Sequence, residues 1–137
     1  MFLIGIRMQK RMPSQMINYI ILETMHQEGT TYGYELIKKL KKISDDHWDP
    51  SYGTIYGALN RMEDKGLIER TDEGEDRKYY RLTSEGKENL DEREKEMEEL
   101  GERAQDMVLG FLNVYQVIYG EEDFHKLIDR IKDEFDI

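Results

Sequence analysis

PSYGTIYGALNRMEDKGLI, residues 50–68, decides the reading of this chain. Ser51, just behind Pro50, carries a hydroxyl able to cap the free N–H groups of a first helical turn. Ile55, Ala58, Leu59 and Met62 then recur at i, i+3, i+4 and i+7, which predicts one buried helix face. The opposite face carries Gly53, Tyr56, Gly57, Asn60 and Asp64, with Arg61 on its shoulder. A face that met only solvent would be built of Glu and Lys. Glycine instead destabilises a helix by about 1 kcal/mol relative to alanine, and here two glycines stand four residues apart. Bare backbone beside Tyr and Asn fits a surface that another molecule approaches closely, and the candidate is DNA. Lys65-Gly66 supplies the glycine at which such a helix stops.

Upstream, Ser14 to Gln27 reads as a first helix with Ile17, Ile20, Ile21 and Met25 inward and Gly29 at its end. Thr31 is expected to cap a second helix from about Tyr32 to Ser44, with Leu36, Ile37, Leu40 and Ile43 facing the core. Lys38, Lys41 and Lys42 point the other way. Such a row is either a solvated face or, in a helix-turn-helix, a set of point charges placed against the phosphate backbone. The connector DDHWD at 45–49 holds the only tryptophan, whose ring is expected to pack over the start of the next helix. Its aspartates around His47 lack the spacing of a cation-binding loop, so no metal and no cofactor is expected. Residues 1–13 form an arm with Arg7, Lys10 and Arg11. It reads as a frayed terminus, with Met8 or Met12 as alternative true starts, or as an arm touching phosphates.

Downstream, Leu67 to Thr71 reads as a strand, DEGED at 72–76 as a turn around Gly74, and Arg77 to Thr83 as the returning strand. Tyr80 and Leu82 alternate with Tyr79 and Arg81, so one face packs and the other is open. Three helices followed by a short hairpin is the order of a winged helix-turn-helix, with the hairpin as wing.

Three stretches also carry a family likeness: YGYEL at 32–36, PSYGTIYGALNRMEDKGLIER at 50–70 and RKYYRLTSEGKENL at 77–90. In these words, their order and their spacing, the chain resembles the PadR family of transcriptional regulators over about residues 15–90. The resemblance implies a homodimeric winged-helix repressor. Its recognition helix would enter the major groove, its wing would touch the backbone or minor groove, and a C-terminal helix would dimerise. Carried onto this chain, the recognition residues are Ser51, Tyr52, Thr54, Tyr56 and Asn60, with Arg77, Lys78 and Tyr79 at the wing. Lys38, Lys41, Lys42 and Arg61 complete the expected DNA-facing set. Family wings tend to be rich in glycine and arginine, whereas Glu73, Glu75 and Asp76 make this tip acidic. That moves the expected phosphate contact from the tip of the wing to its base.

Thr83 can cap a further helix beginning at Ser84. Leu90, Met97, Ala104, Phe111 and Ile118 recur every seven residues, with Leu100, Met107 and Val114 between them, which is a heptad seam broken only at Arg93. Together with Tyr115 these positions are the expected dimerisation surface, since so much apolar surface needs a partner. Gly120 closes the helix. A last amphipathic helix follows, with Phe124, Leu127, Ile128, Ile131 and Phe135 on one face and Glu121 to Asp123 at its positive end. Phe111, Tyr115 and Tyr119, with Met97 and Met107, read as dimer core or as the lining of an intersubunit pocket for a flat apolar or aromatic effector. The PadR likeness includes ligand-responsive members.

The expected fold is thus mainly α with a small β-hairpin (α+β). A winged helix-turn-helix domain at 14–88 is followed by C-terminal dimerisation helices at 89–137. The net charge of −10 at first argues against nucleic acid, but it is unevenly spread. Residues 1–90 hold 14 basic and 15 acidic residues, whereas residues 91–137 hold 6 and 15. The acid therefore lies in the tail. The absence of cysteine excludes disulfides, and the longest early apolar run, FLIGI, is too short for a signal peptide, so a soluble cytoplasmic protein is expected. No phosphate-binding loop, zinc-hydrolase helix or nucleophile elbow occurs, and His26, His47 and His125 lie in different elements, which argues against an enzyme. A sequence-specific, homodimeric DNA-binding repressor is expected. The alternative is a winged helix used for protein–protein interaction without DNA, which the acidic total favours.

Overall fold

A computed structural model describes residues 12–71 and 77–137. The arm residues Arg7, Lys10 and Arg11 and the acidic turn with Glu73, Gly74, Glu75 and Asp76 lie outside the described residues. The elements in order are α1 (Ser14–Glu28), β1 (Thr31–Tyr32), α2 (Gly33–Ile43), α3 (Tyr52–Asp64), β2 (Ile68–Thr71), β3 (Tyr79–Leu82), α4 (Ser84–Tyr119) and α5 (Glu121–Phe135). The chain divides into two compact units, one running through Glu94 and the other Lys95–Ile137.

The first unit is built around the inner face of α3. Ile55, Ala58, Leu59 and Met62 are all buried, as their spacing predicts. They meet Ile17, Ile21, Leu22 and Met25 of α1, Leu36, Ile37 and Leu40 of α2, and Tyr80 of the sheet in one core. Burial of each large aliphatic side chain contributes about 1.5–3 kcal/mol, so the helix is held by its packing more than by its glycine-bearing sequence. Ser51 caps α3, its hydroxyl accepting from the Thr54 N–H at 3.2 Å. At the other end Gly66 takes φ 76°. Its N–H donates to the Glu63 carbonyl and the Leu67 N–H to the Met62 carbonyl, both at 2.9 Å, which is the paired closure that glycine at this position permits.

The sheet has three antiparallel strands in the order β1-β3-β2, one more than the hairpin expected. Thr31 lies opposite Tyr80 and Tyr32 opposite Tyr79. This corrects the capping role expected of Thr31: its side chain is buried in the sheet, and Tyr32 stands before α2 with no side-chain cap. A strand of two residues is too short to show alternation. Ile43, expected in the core, is 59% exposed because α2 ends there. Trp48 is half-buried against the core, and its backbone N–H donates to the Ser44 hydroxyl at 3.0 Å. Burial, with Glu63 nearby, pushes the Tyr80 phenol above its ordinary 10.0.

Thr83 joins the sheet to α4. Its hydroxyl accepts from the Gly86 N–H at 3.0 Å and lies 2.6 Å from the Gly66 carbonyl, to which it donates. Gly86 is where α4 crosses the start of β2, so closely that an added Cβ would overlap the Leu67 carbonyl oxygen. One turn on, Leu90 is 3% exposed within the core of its own chain. That removes Leu90 from the surface expected to dimerise, since its side chain is already covered.

In the second unit α4 runs on to Tyr119, Gly120 breaks the chain at φ 90°, and α5 follows. Met97, Leu100, Ala104 and Tyr115 are half-buried, whereas Met107, Phe111, Val114 and Ile118 are exposed. Phe124, Leu127, Ile128 and Ile131 of α5 are half-buried, while Phe135, expected on the same face, is exposed.

Candidate nucleic-acid interface

The outer face of α3 is open where its sequence is unusual. Ser51, Tyr52, Gly53, Thr54, Asn60 and Arg61 are all exposed. A Cβ on Gly53 would meet nothing nearer than the Ser51 hydroxyl at 4.0 Å, and one on Gly57 only the Arg61 Nη1 at 3.3 Å. Among the described residues neither glycine is needed for packing. Gly33 is the contrast: a Cβ there would lie 2.5 Å from the Tyr56 ring. Tyr56 is therefore half-buried, laid over the start of α2 and not freely projecting with Asn60.

Lys38, Lys41 and Lys42 are exposed along α2, while Lys39 between them pairs with Glu28 of α1. The buried Leu36, Ile37 and Leu40 on the opposite side fix which side of α2 faces out. At the wing, Arg77 and Lys78 are exposed and Tyr79 is half-buried, its ring edge-on to Tyr32 at 5.2 Å. Tyr79 thus supports the sheet as well as bordering the surface. Glu69 and Arg81, opposite each other on β2 and β3, form an exposed ion pair at 2.7 Å. Such a pair contributes roughly 0–1 kcal/mol and mainly removes Arg81 from the free cations.

Two grooves border this face. Ser51, Gly53, Thr54 and Arg61 share one of about 720 Å³ with Ile17, Trp48 and Pro50. The other, of about 400 Å³, brings Tyr32 and Tyr34 beside Tyr52, Tyr56, Arg77 and Lys78. Tyr32 and Tyr34 were not among the residues expected at the site. Both lie in the YGYEL stretch, whose pattern signals only a helix start.

Three helices around one core, followed by a pair of antiparallel strands, define a winged-helix fold. The model of the transcriptional regulator PadR-like family matches residues 21–92, more than half of the chain, and the chain belongs to that family. It is 29% identical over 94 residues to the Escherichia coli (strain K12) transcriptional regulator YqjI, covering 69% of this chain and 45% of that protein. The chain therefore spans less than half the length of that relative. A transcriptional regulator from Clostridium thermocellum has a similar structure, with a TM-score of 0.59 at 31% identity over 67% of this chain and 89% of that one. A PadR-like transcriptional regulator from Bacillus cereus gives 0.55 at 34% identity, over 66% and 89%. The family and these relatives are transcriptional regulators, not enzymes. Among the described residues no helix is long and apolar enough to cross a membrane.

Proposed function

We propose that this transcriptional regulator binds double-stranded DNA sequence-specifically as a homodimer and acts as a repressor. The observation that carries the reading is the outer face of α3, with Gly53 and Gly57 bare and Asn60 and Arg61 exposed beside them. Backbone bare of side chains admits close approach, and Asn commonly makes paired hydrogen bonds to adenine in the major groove. Lys38, Lys41, Lys42, Arg77 and Lys78 supply charges for the backbone on either side. Dimerisation is assigned to Met97, Leu100, Ala104, Met107, Phe111, Val114, Tyr115 and Ile118. Met107, Phe111 and Ile118 are each at least 65% exposed in the single chain. A run of this kind is covered in solution, and a second copy is the simplest cover. Phe111, Tyr115 and Tyr119 are in ring contact along α4, at 6.2 Å and 4.6 Å between centroids, which would suit a flat apolar or aromatic effector that relieves repression.

The experiment is binding of the full chain to duplex DNA across a salt series. Affinity should fall steeply, log K dropping by about 0.9 per phosphate neutralised for each tenfold rise in salt. The net charge of −10 favours a second reading, a winged helix that binds another protein. Absence of duplex binding even at low salt would select that reading.

A further inference from the structure

Tyr34 opens onto solvent in the first turn of α2, with 47% of its surface exposed. One turn on, the Lys38 ammonium lies 5.5 Å from the centre of its ring. Its other neighbour is Tyr52, whose ring stands 6.4 Å away and within 17° of parallel. Rings stacked on their faces are reached at their edges, and the edge of a phenol ends in its oxygen. Tyr34 also lines the groove of about 400 Å³ that Arg77 and Lys78 border, together with Tyr32, Tyr52 and Tyr56. Tyr32 and Tyr56 are half-buried, so Tyr34 and Tyr52 are the two phenols there that another protein can reach. Among the described residues neither Arg77 nor Lys78 is paired with a carboxylate, and no carboxylate lines the groove.

A reachable hydroxyl beside three cations is a setting in which an added phosphoryl group finds partners at once. We infer that Tyr34 is a phosphorylation site, and that its phosphoryl group is held by Lys38, Arg77 and Lys78. In the reaction the phenol oxygen attacks the terminal phosphorus of a nucleoside triphosphate held by a tyrosine kinase. The new O–P bond replaces the one to the bridging oxygen, the nucleoside diphosphate leaves, and the phenol proton passes to solvent. Tyr34, not Tyr52, is the acceptor, since Lys38 stands over its ring as a third cation. Phosphotyrosine carries about −1.5 to −2 charges at neutral pH. Lys38, Arg77 and Lys78 are among the cations assigned above to the DNA backbone, so the modified side chain takes them from the duplex. Phosphorylation thus switches DNA binding off, a consequence that rests on the DNA-binding reading above.

The test places phosphotyrosine at position 34 of the full chain by genetic code expansion, with thermal melts to confirm that each protein is folded. Phosphorus NMR across pH reads the seat without DNA. The second ionisation of the phosphoryl group should lie below its ordinary value of about 6, because nearby cations favour the dianion. Arg77→Gln and Lys78→Gln should each move it back up. An ordinary value that neither substitution moves would overturn the seat. Fluorescence anisotropy on a mixed-sequence duplex in a salt series reads the switch. Loss of two phosphate contacts should weaken binding about 60-fold at about 0.1 M salt and lower the slope of log K against log salt by about 1.8. Equal binding by the phosphorylated and unmodified chains overturns the switch and leaves DNA binding by α3 standing. If the unmodified chain binds no duplex at low salt, the DNA reading fails and the switch with it. The phosphorus titration, which needs no DNA, tells that failure from a failure of the seat. The site itself is read by tandem mass spectrometry of the chain recovered from its own cells across growth conditions. Phosphate on Tyr34 is expected; phosphate on Tyr52 alone, or on no tyrosine, overturns the assignment.

Discussion

Gly57→Ala, alone and combined with Gly53→Ala, separates what α3 does for the fold from what it does for a ligand. Among the described residues there is room for both methyl groups. The nearest atom to a Cβ on Gly53 is 4.0 Å away, and on Gly57 it is the far end of the Arg61 side chain at 3.3 Å, which can swing aside. Replacing glycine by alanine in a helix interior stabilises by about 1 kcal/mol. Gly53 lies in the first turn, where the gain is smaller, so the pair should add about 1–1.5 kcal/mol. At about 4–8 °C per kcal/mol for a small domain, the melting temperature should rise by roughly 5–10 °C. On DNA the sign reverses. Two methyl groups pushed into a close-packed contact cost about 1–3 kcal/mol, a loss of roughly 5- to 150-fold in affinity. The assay is a thermal melt followed by circular dichroism, paired with fluorescence anisotropy on a labelled duplex. A double variant that melts higher and binds DNA as tightly as the parent would refute the claim that this face is closely approached. A lower melt would refute the claim that the space is empty.

Gly86→Ala should behave in the opposite way for stability. Its Cβ would overlap the Leu67 carbonyl, which already accepts from the Thr83 N–H at 3.1 Å and cannot retreat freely. A net loss of about 1–3 kcal/mol is expected after the helix-propensity gain, seen as a lower urea midpoint with unchanged slope; an unchanged midpoint would count against the close crossing. Asn60→Ala should weaken binding to a selected operator by about 1–3 kcal/mol and leave random duplex nearly unaffected, so equal losses on both would contradict base reading. Phe111→Asp should turn the proposed dimer into monomer by light scattering, and an unchanged mass would dispose of the seam as an interface. Tyr80 has a folded-state pKa raised above 10.0 by burial, so the stability it lends is complete below about pH 10 and lost as the pH climbs through the raised value. Tyr80→Phe should flatten the alkaline fall in urea midpoint above pH 10; an identical fall in both proteins would assign it to other groups.

The parts of this molecule legible in its sequence are those set by local period and local chemistry. The spacing of Ile55, Ala58, Leu59 and Met62 states the buried face of α3, and Ser51 and Gly66 mark its ends because each satisfies backbone groups only a few residues away. Contacts between distant segments were less visible. β1 exists because Thr31 and Tyr32 find Tyr80 and Tyr79 nearly fifty positions on, a pairing that two residues cannot advertise. Leu90 fits a heptad yet packs into its own core, since a seven-residue repeat does not say which partner covers it. Ile43 has the right period and the wrong place, the last residue of its helix. The tyrosine groove draws on residues from position 32 to position 78, and only the fold brings them to one place.

The hydroxyl of Thr83 has a mechanical meaning as well as a capping one. It holds the carbonyl of Gly66, the residue that turns the chain out of α3, and the N–H of Gly86 in the first turn of α4. The exit of one helix and the entry of the next therefore share a single joint. Wound so tightly, neither end has independent play: a rotation of the first turn of α4 must either carry Gly66 with it or break the clasp. The end of α3, the helix proposed to read DNA, is thus joined through one oxygen atom to the first turn of α4.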